Sequence, residues 1–247
     1  MRLSFALDQG NGERTNLGLI VLQADETLEN ELRLVLTNPD VSLYHTRVPS
    51  HPSVTKETLA EMAKDLPTAA GLLPKSLTFG AIGYACTSGA TVIGQNVVAS
   101  KVHEHHPSVP VTDPITAAIV GFRALGAKKL SFLSPYVPEV SSAMRQLLED
   151  NGLQITGFGS FEQEQEKIVA RISEASTLDA IVKIGKSADC DAVFVSCTNL
   201  RTFGILAEAE EILGKPVISS NLAILWHLLK LADYGGRISA PGKLFDV

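Results

Sequence analysis

The chain has 247 residues, of which 45 % are hydrophobic and 19 % charged. That is a globular composition, which excludes intrinsic disorder and provides for one large domain or two small ones. With 21 Lys and Arg against 27 Asp and Glu the net charge is −6, and there is no basic run, so nucleic acid is not the expected partner. No apolar stretch approaches the roughly 20 residues of a membrane helix, so no membrane partner is expected. Residues 1–10 hold one basic residue and no long apolar core, which predicts no signal peptide and a cytoplasmic location.

Short apolar runs alternate with longer segments of helical period. Residues 16–22 read as a buried strand. In 25–36, Leu28, Leu32 and Val35 share one helical face, and Glu26, Glu29 and Glu31 sit in the early turns, where they suit the dipole. A strand is predicted over 41–46, and a helix over 54–66 with Thr55 and Thr58 placed to cap its start. A strand over 76–86 and a helix over 88–104 follow, then a short strand at 109–111 and a helix over 113–125. The second half repeats the order: strand 129–133, helix 138–150, strand 153–158, long helix 163–185. Strand 191–196, helix 200–213, strand 216–219 and helix 222–232 complete it. Such alternation implies mostly parallel sheets with helices on both faces.

The halves also match in detail, and internal repetition defines a fold. Ile20 and Cys86 are 66 positions apart; Leu133 and Cys197 are 64 apart. Ala85-Cys86-Thr87-Ser88 and Ser196-Cys197-Thr198-Asn199 each follow an apolar strand and precede a helix. Each is then followed by a Pro-Val strand, at Pro110-Val111 and Pro216-Val217. The expected fold is α/β, with two pseudo-symmetric lobes, each a mostly parallel sheet flanked by helices, and an active site in the cleft between them. The first lobe spans 1–112, completed by the C-terminal segment 218–247; the second spans 113–217.

The three cysteines are Cys86, Cys190 and Cys197. An odd count without a secretory signal predicts free thiols in a reducing compartment. No CxxC pair exists, so no structural zinc is expected. Ligands of open α/β sheets bind beyond the carboxyl ends of the strands, where Cys86 and Cys197 both fall. A helix start behind each supplies unpaired N–H groups that attract anions and favour thiolate over thiol, below the usual value of about 8.5. Thr87, Ser88, Thr198 and Asn199 add hydrogen bonds. Two facing thiols can exchange a proton across a carbon beside a carboxylate, which is racemisation; alternatively, one thiolate adds to a double bond and the bond rotates. Cys190, between Asp189 and Asp191, has neighbours that oppose a thiolate and reads as structural.

The strings Gly83-Tyr84-Ala85-Cys86-Thr87-Ser88, Ser134-Pro135-Tyr136, Val195-Ser196-Cys197-Thr198-Asn199 and Lys215-Pro216-Val217-Ile218-Ser219-Ser220 resemble the aspartate/glutamate racemase superfamily. They are closest to its branch of maleate cis–trans isomerase and arylmalonate decarboxylase, over about residues 16–235. The resemblance implies a cofactor-independent enzyme for a small carboxylate, commonly a dimer or tetramer. It implies Cys86 as nucleophile, Cys197 as acid/base and Tyr136 as a substrate-binding group. The decarboxylase lacks the first cysteine, which weighs against decarboxylation here. Where maleate isomerase-like proteins place an Asn for a substrate carboxylate, this chain has Asp25. Two desolvated carboxylates 4 Å apart repel by roughly 4 kcal/mol at an effective dielectric of 20. Asp25 therefore suits a substrate nitrogen cation, unless it only caps the following helix. Ectoine-utilisation members of the family resemble this sequence in both respects, which implies a compatible-solute substrate.

Other signals weigh little. His103, His105 and His106 lack further ligands nearby and read as a solvated helix end. No GxGxxG joins a strand to a helix, so no dinucleotide cofactor is expected. No Ser-His-Asp nucleophile elbow is present. A two-lobed solute-binding protein remains the rival from another class.

Overall fold

The computed structural model describes residues 1–8, 10–187 and 189–247. In chain order, β1 (Thr15–Leu22) leads to α1 (Leu28–Val35) and β2 (Val41–Val48). Two short helices, α2 (Lys56–Glu61) and α3 (Leu66–Gly71), precede β3 (Ala81–Ala85). Then come α4 (Thr87–Ile93), α5 (Gln95–His103), β4 (Val111–Thr112) and α6 (Pro114–Ala124). The second half runs β5 (Lys129–Tyr136), α7 (Pro138–Asp150), β6 (Gln154–Gln163), α8 (Glu166–Val169) and α9 (Glu174–Ser187). It ends with β7 (Ala192–Val195), α10 (Leu206–Leu213), β8 (Val217–Ser219) and α11 (Ser220–Leu231).

The strands form two four-stranded sheets, ordered β2-β1-β3-β4 and β6-β5-β7-β8. Every pairing within them is parallel. The second order is the first repeated, as the spacing of the two halves predicts. A parallel strand is covered on both faces, so its sequence is apolar throughout rather than alternating. β3 and β7 are buried at every position, and β1 at all but one. The last helix, α11, comes from the second half yet packs on β3 and β4 of the first sheet, while α6 packs against β8. Helices thus cross between the sheets and close one continuous core.

Four predicted elements differ most from what forms, and the helix expected over 54–66 also breaks, into α2 and a single 3₁₀ turn at Met62–Lys64. The strand expected over 76–86 is only Ala81–Ala85. The helix expected over 88–104 is two helices, because Gly94 takes a φ of 89° that ends α4. The long helix expected over 163–185 does not exist. β6 continues to Gln163 beside Tyr136, the Val54 amide donates to the Glu164 carbonyl, and the Glu166 amide donates to the Pro52 carbonyl. The chain is pinned to the first half at that point. It restarts as α9 where Ser173 Oγ accepts the Ser176 amide.

The fourth difference concerns 200–213, where helix begins only at Leu206. The Glu31 carboxylate of α1 reaches across and accepts the amides of Thr202 and Phe203. That contact ties the non-helical stretch before α10 to α1. The cap behaves as read from sequence at Thr55, whose side chain forms a reciprocal pair with Thr58; Asp113 caps α6, accepting from Ile115 and Thr116. The histidine segment is not wholly a solvated end. His106 is buried, its Nε2 bonded to the Ala70 carbonyl at 2.9 Å and its ring edge-on to Phe79.

Candidate active site

The carboxyl ends of the central strands of both sheets meet at one small cavity. Leu22, Asp25, Cys86, Thr87, Ser88, Tyr136, Glu166, Cys197 and Thr198 line it, and the space between them is about that of one water molecule. Asp25 follows β1 and Cys86 follows β3; Tyr136 ends β5 and Cys197 follows β7. The repeat in sequence therefore becomes a repeat of position around one chamber, contributed half by each sheet.

Both sulfurs are buried, Cys86 at 5 % exposure and Cys197 at 3 %. Cys86 is the N-cap of α4, and its Sγ accepts the Gly89 amide at 3.2 Å. Gly89 is required there, since a Cβ would lie 2.5 Å from Tyr84 Oη and 2.9 Å from Cys86 Sγ. Cys197 is held differently. Its φ of 105° is unusual for a residue with a side chain and costs about 1–3 kcal/mol. The turn is kept in place by the Cys197 amide donating to Ser220 Oγ at 3.0 Å, and by the Asn199 amide donating to Cys197 Sγ at 3.3 Å. No helix starts behind it until Leu206, so the expected helix terminus backs only Cys86.

The expectation of low thiol pKa values is overturned. Burial pushes Cys86 up to about 12, with the Gly89 amide pulling against it and the Glu166 charge adding to the rise. Burial and then the Glu166 charge push Cys197 well above the usual thiol range. One helix end and a few hydroxyls do not offset the removal of water from a closed, acidic chamber.

The remaining expected residues separate into three groups. Asp25, Thr87, Ser88, Tyr136 and Thr198 line the cavity with the two thiols. Asn199 does not line it. Its side chain accepts the Glu26 amide at 2.9 Å and donates to the Ala24 carbonyl and to Glu166 Oε2, fastening the loop that carries Asp25. Thr87 and Thr198 also tie the halves together, for Thr87 Oγ1 lies 2.8 Å from Ser220 Oγ and Thr198 Oγ1 donates to the Ala85 carbonyl at 3.4 Å. Cys190 lies elsewhere, beside Lys215 Nζ and the Gly185 carbonyl.

Asp25 both ties down the start of the following helix and lines the cavity. Its Oδ1 accepts the amides of Thr27 and Leu28 at 2.9 Å each, while its buried Oδ2 has no hydrogen-bond partner. Burial pushes its pKa up, against the backbone amides of Leu28 and Thr27 and the adjacent Thr198 side chain. A second carboxylate, Glu166, was not foreseen from sequence. It is 5 % exposed and accepts Tyr136 Oη–H at 2.7 Å through Oε1 and Asn199 Nδ2 at 2.9 Å through Oε2. Burial raises its pKa, and the Asp25 charge adds to the rise. Among the described residues, no Lys, Arg or His lines the cavity; the guanidinium of Arg47 is spent on the backbone carbonyls of Leu22, Gln23 and Asp25 and on Glu29. Among the described residues, no group of His, Cys, Asp or Glu is arranged to hold a metal ion.

Two thiols on equivalent strand ends, enclosed with a tyrosine and two carboxylates between twin parallel sheets, define a two-lobed cysteine enzyme. Comparison with known proteins gives the family. Residues 61–245 match the Amdase family, described as arylmalonate decarboxylase, and the chain belongs to it. Arylmalonate decarboxylase of Bordetella bronchiseptica is 33 % identical over 141 residues, 56 % of this chain, and the match spans 58 % of that enzyme's length. Maleate isomerase of Geobacillus stearothermophilus is 25 % identical over 244 residues, 93 % of this chain and 96 % of that one. The crystal structure of the maleate isomerase Iso from Pseudomonas putida S16 superposes with a TM-score of 0.84 at 25 % identity, covering 94 % of this chain and 98 % of that one. The protein is thus a member of a group of cysteine-dependent isomerases and decarboxylases.

Proposed function

We propose that this enzyme is a cofactor-independent isomerase that racemises a small carboxylate bearing a nitrogen cation, by proton transfer between Cys86 and Cys197. The observation that carries the reading is that both thiols line the one cavity. A carbon held between them can lose its proton to the thiolate of one sulfur and gain a proton from the thiol of the other on the opposite face. The first sulfur ends as a thiol and the second as a thiolate, so protons and charge balance and no redox partner is needed. The hydroxyls of Thr87 and Ser88 are suited to the substrate carboxylate. Asp25 Oδ2, buried without a partner, is suited to the cation.

The strongest alternative is maleate cis–trans isomerisation with Cys86 as nucleophile, favoured by the full-length likeness to maleate isomerases. Against it stand Asp25 and Glu166, two carboxylates in a chamber with no lining cation, which repel a dianion more than they repel a zwitterion. Turnover in deuterated water separates the readings. Racemisation places solvent deuterium at the α-carbon; addition followed by rotation need not, and decarboxylation releases carbon dioxide. Cys86→Ser and Cys197→Ser should each lower the rate by at least about a thousandfold. Retained turnover in either variant would overturn the two-thiol scheme, and inertness toward all such substrates would favour the solute-binding protein.

A further inference from the structure

The two sulfurs are not equivalent in what stands behind them. Each has a tyrosine beside it: Tyr84 for Cys86 and Tyr136 for Cys197. The Tyr84 hydroxyl has Cys86 and, at 3.6 Å, Met62 Sδ as its partners, and among the described residues no carboxylate is bonded to it to take a proton onward. The Tyr136 hydroxyl instead lies 3.0 Å from Cys197 Sγ and 2.7 Å from Glu166 Oε1. A phenol has one proton to give. With Glu166 ionised, the shorter, charge-assisted bond takes it. Cys197 is then left to donate its own S–H to the Tyr136 oxygen, and the three groups form a single directed chain from S–H through O–H to carboxylate.

We propose that Glu166 is the proton acceptor that converts Cys197 to its thiolate, acting through the Tyr136 hydroxyl. The Sγ–H bond breaks as its proton joins Tyr136 Oη, and the proton already on Oη moves to Glu166 Oε1. The products are a thiolate, an unchanged tyrosine and a protonated carboxyl. One negative charge enters the step and one leaves it, so no new charge is created in the closed chamber. Releasing the Cys197 proton to water would add a second anion beside Glu166 and Asp25, which is why burial alone makes this thiol a poor base. Glu166 touches neither sulfur and works by placing a proton, so it is a positioning residue. Its own orientation is fixed by Asn199 Nδ2 on Oε2. The other titratable groups facing Cys197 are Asp25 and Cys86 across the cavity; neither has a hydrogen bond to Cys197. Cys86 has no such chain and stays a thiol, ready to donate.

The assignment deepens the two-thiol reading and rests on it for the use made of the thiolate, but its test needs no substrate. Iodoacetamide labelling from pH 6 to 8, resolved by site with mass spectrometry, compares two thiols that line the same cavity. A proton that leaves Cys197 for Glu166 stays in the protein, so Cys197 labelling should change by less than about threefold across this range, whereas Cys86, which must release its proton to water, should label about tenfold faster per pH unit. In Glu166→Gln and Tyr136→Phe, Cys197 should take up that same tenfold-per-unit slope. A variant that merely loosened the fold would change both rates without changing either slope. A tenfold-per-unit slope at Cys197 in the unaltered protein, no labelling of Cys197, or a flat profile that survives in both variants would overturn the relay. The turnover of the cysteine variants judges the two-thiol reading separately.

Discussion

Asp25 Oδ1 is committed to two backbone amides, and Oδ2 faces the chamber alone. An amide in its place keeps an oxygen for the Thr27 and Leu28 amides while removing the charge. Asp25→Asn should therefore leave thermal stability within about 1 kcal/mol and change ligand choice. Maleate, measured by its protection of Cys86 and Cys197 from alkylation, should bind at least about tenfold more tightly to Asp25→Asn, since a repulsion of a few kcal/mol is lifted. Unchanged maleate protection would remove Asp25 from the selection of substrate. Asp25 was singled out in the sequence because it stands where maleate isomerase-like proteins place an Asn, after an apolar strand where ligands of such sheets bind. Glu166 was not, because a polar residue in a segment of helical period looks like a solvated face. Only the pairing of Tyr136 with Gln163, which prolongs β6, turns Glu166 inward.

At the level of elements, α1 is secured to the second half by one side chain. Glu31 is buried and accepts the amides of Thr202 and Phe203, the Thr202 hydroxyl and Asn221 Nδ2. Burial pushes its pKa up against those four donors. Removing the carboxylate strands donors that were placed for it, each costing about 1–3 kcal/mol when buried without a partner. Glu31→Ala should destabilise the protein by about 3–5 kcal/mol, read as a lower urea midpoint. The loss should appear although Glu31 is absent from the cavity lining; a change under about 1 kcal/mol would show that the loop at 200–205 finds water instead. Helix periodicity misplaced the start of α10. Periodicity registers which residues are apolar, whereas the partner of the Thr202 amide stands 171 positions away in the chain. Conversely, α7 formed over the very span its apolar stripe indicated, Pro138–Asp150, since nothing distant competes for its first amides.

Across the whole molecule, the repeat of strand order and of Cys-Thr turns was readable because it is carried by apolar runs and turn residues, the two strongest local signals. The helices that cross between the sheets carry their own titrating group. His227 of α11 is largely buried, with Nδ1 2.7 Å from Thr112 Oγ1. Burial, and then the Lys230 charge, push its pKa down to about 4 from 6.5. The unfolded chain therefore binds this proton more readily than the folded one. Stability from this group is complete above about pH 6.5 and is lost as pH falls toward 4, by about 1–3 kcal/mol once solvent screening is discounted. The raised carboxyls Asp25, Glu31, Asp113 and Glu166 act with the opposite sign, easing the fold as they protonate. The histidine contribution is isolated by comparison. Between pH 6.5 and 4, the unaltered protein should lose more stability than His227→Gln in parallel denaturation curves; matching curves would place the acid sensitivity elsewhere.

A chamber with room for about one water molecule cannot admit its reactant as it stands. Admitting a guest requires the halves to part, and the contacts that line the seam at the chamber include the long Thr198–Ala85 contact and the hydroxyl pair of Thr87 and Ser220. Widening of this kind on each turnover has a measurable consequence. A thickened solvent should slow that motion, and with it turnover, even where the chemistry at sulfur is untouched.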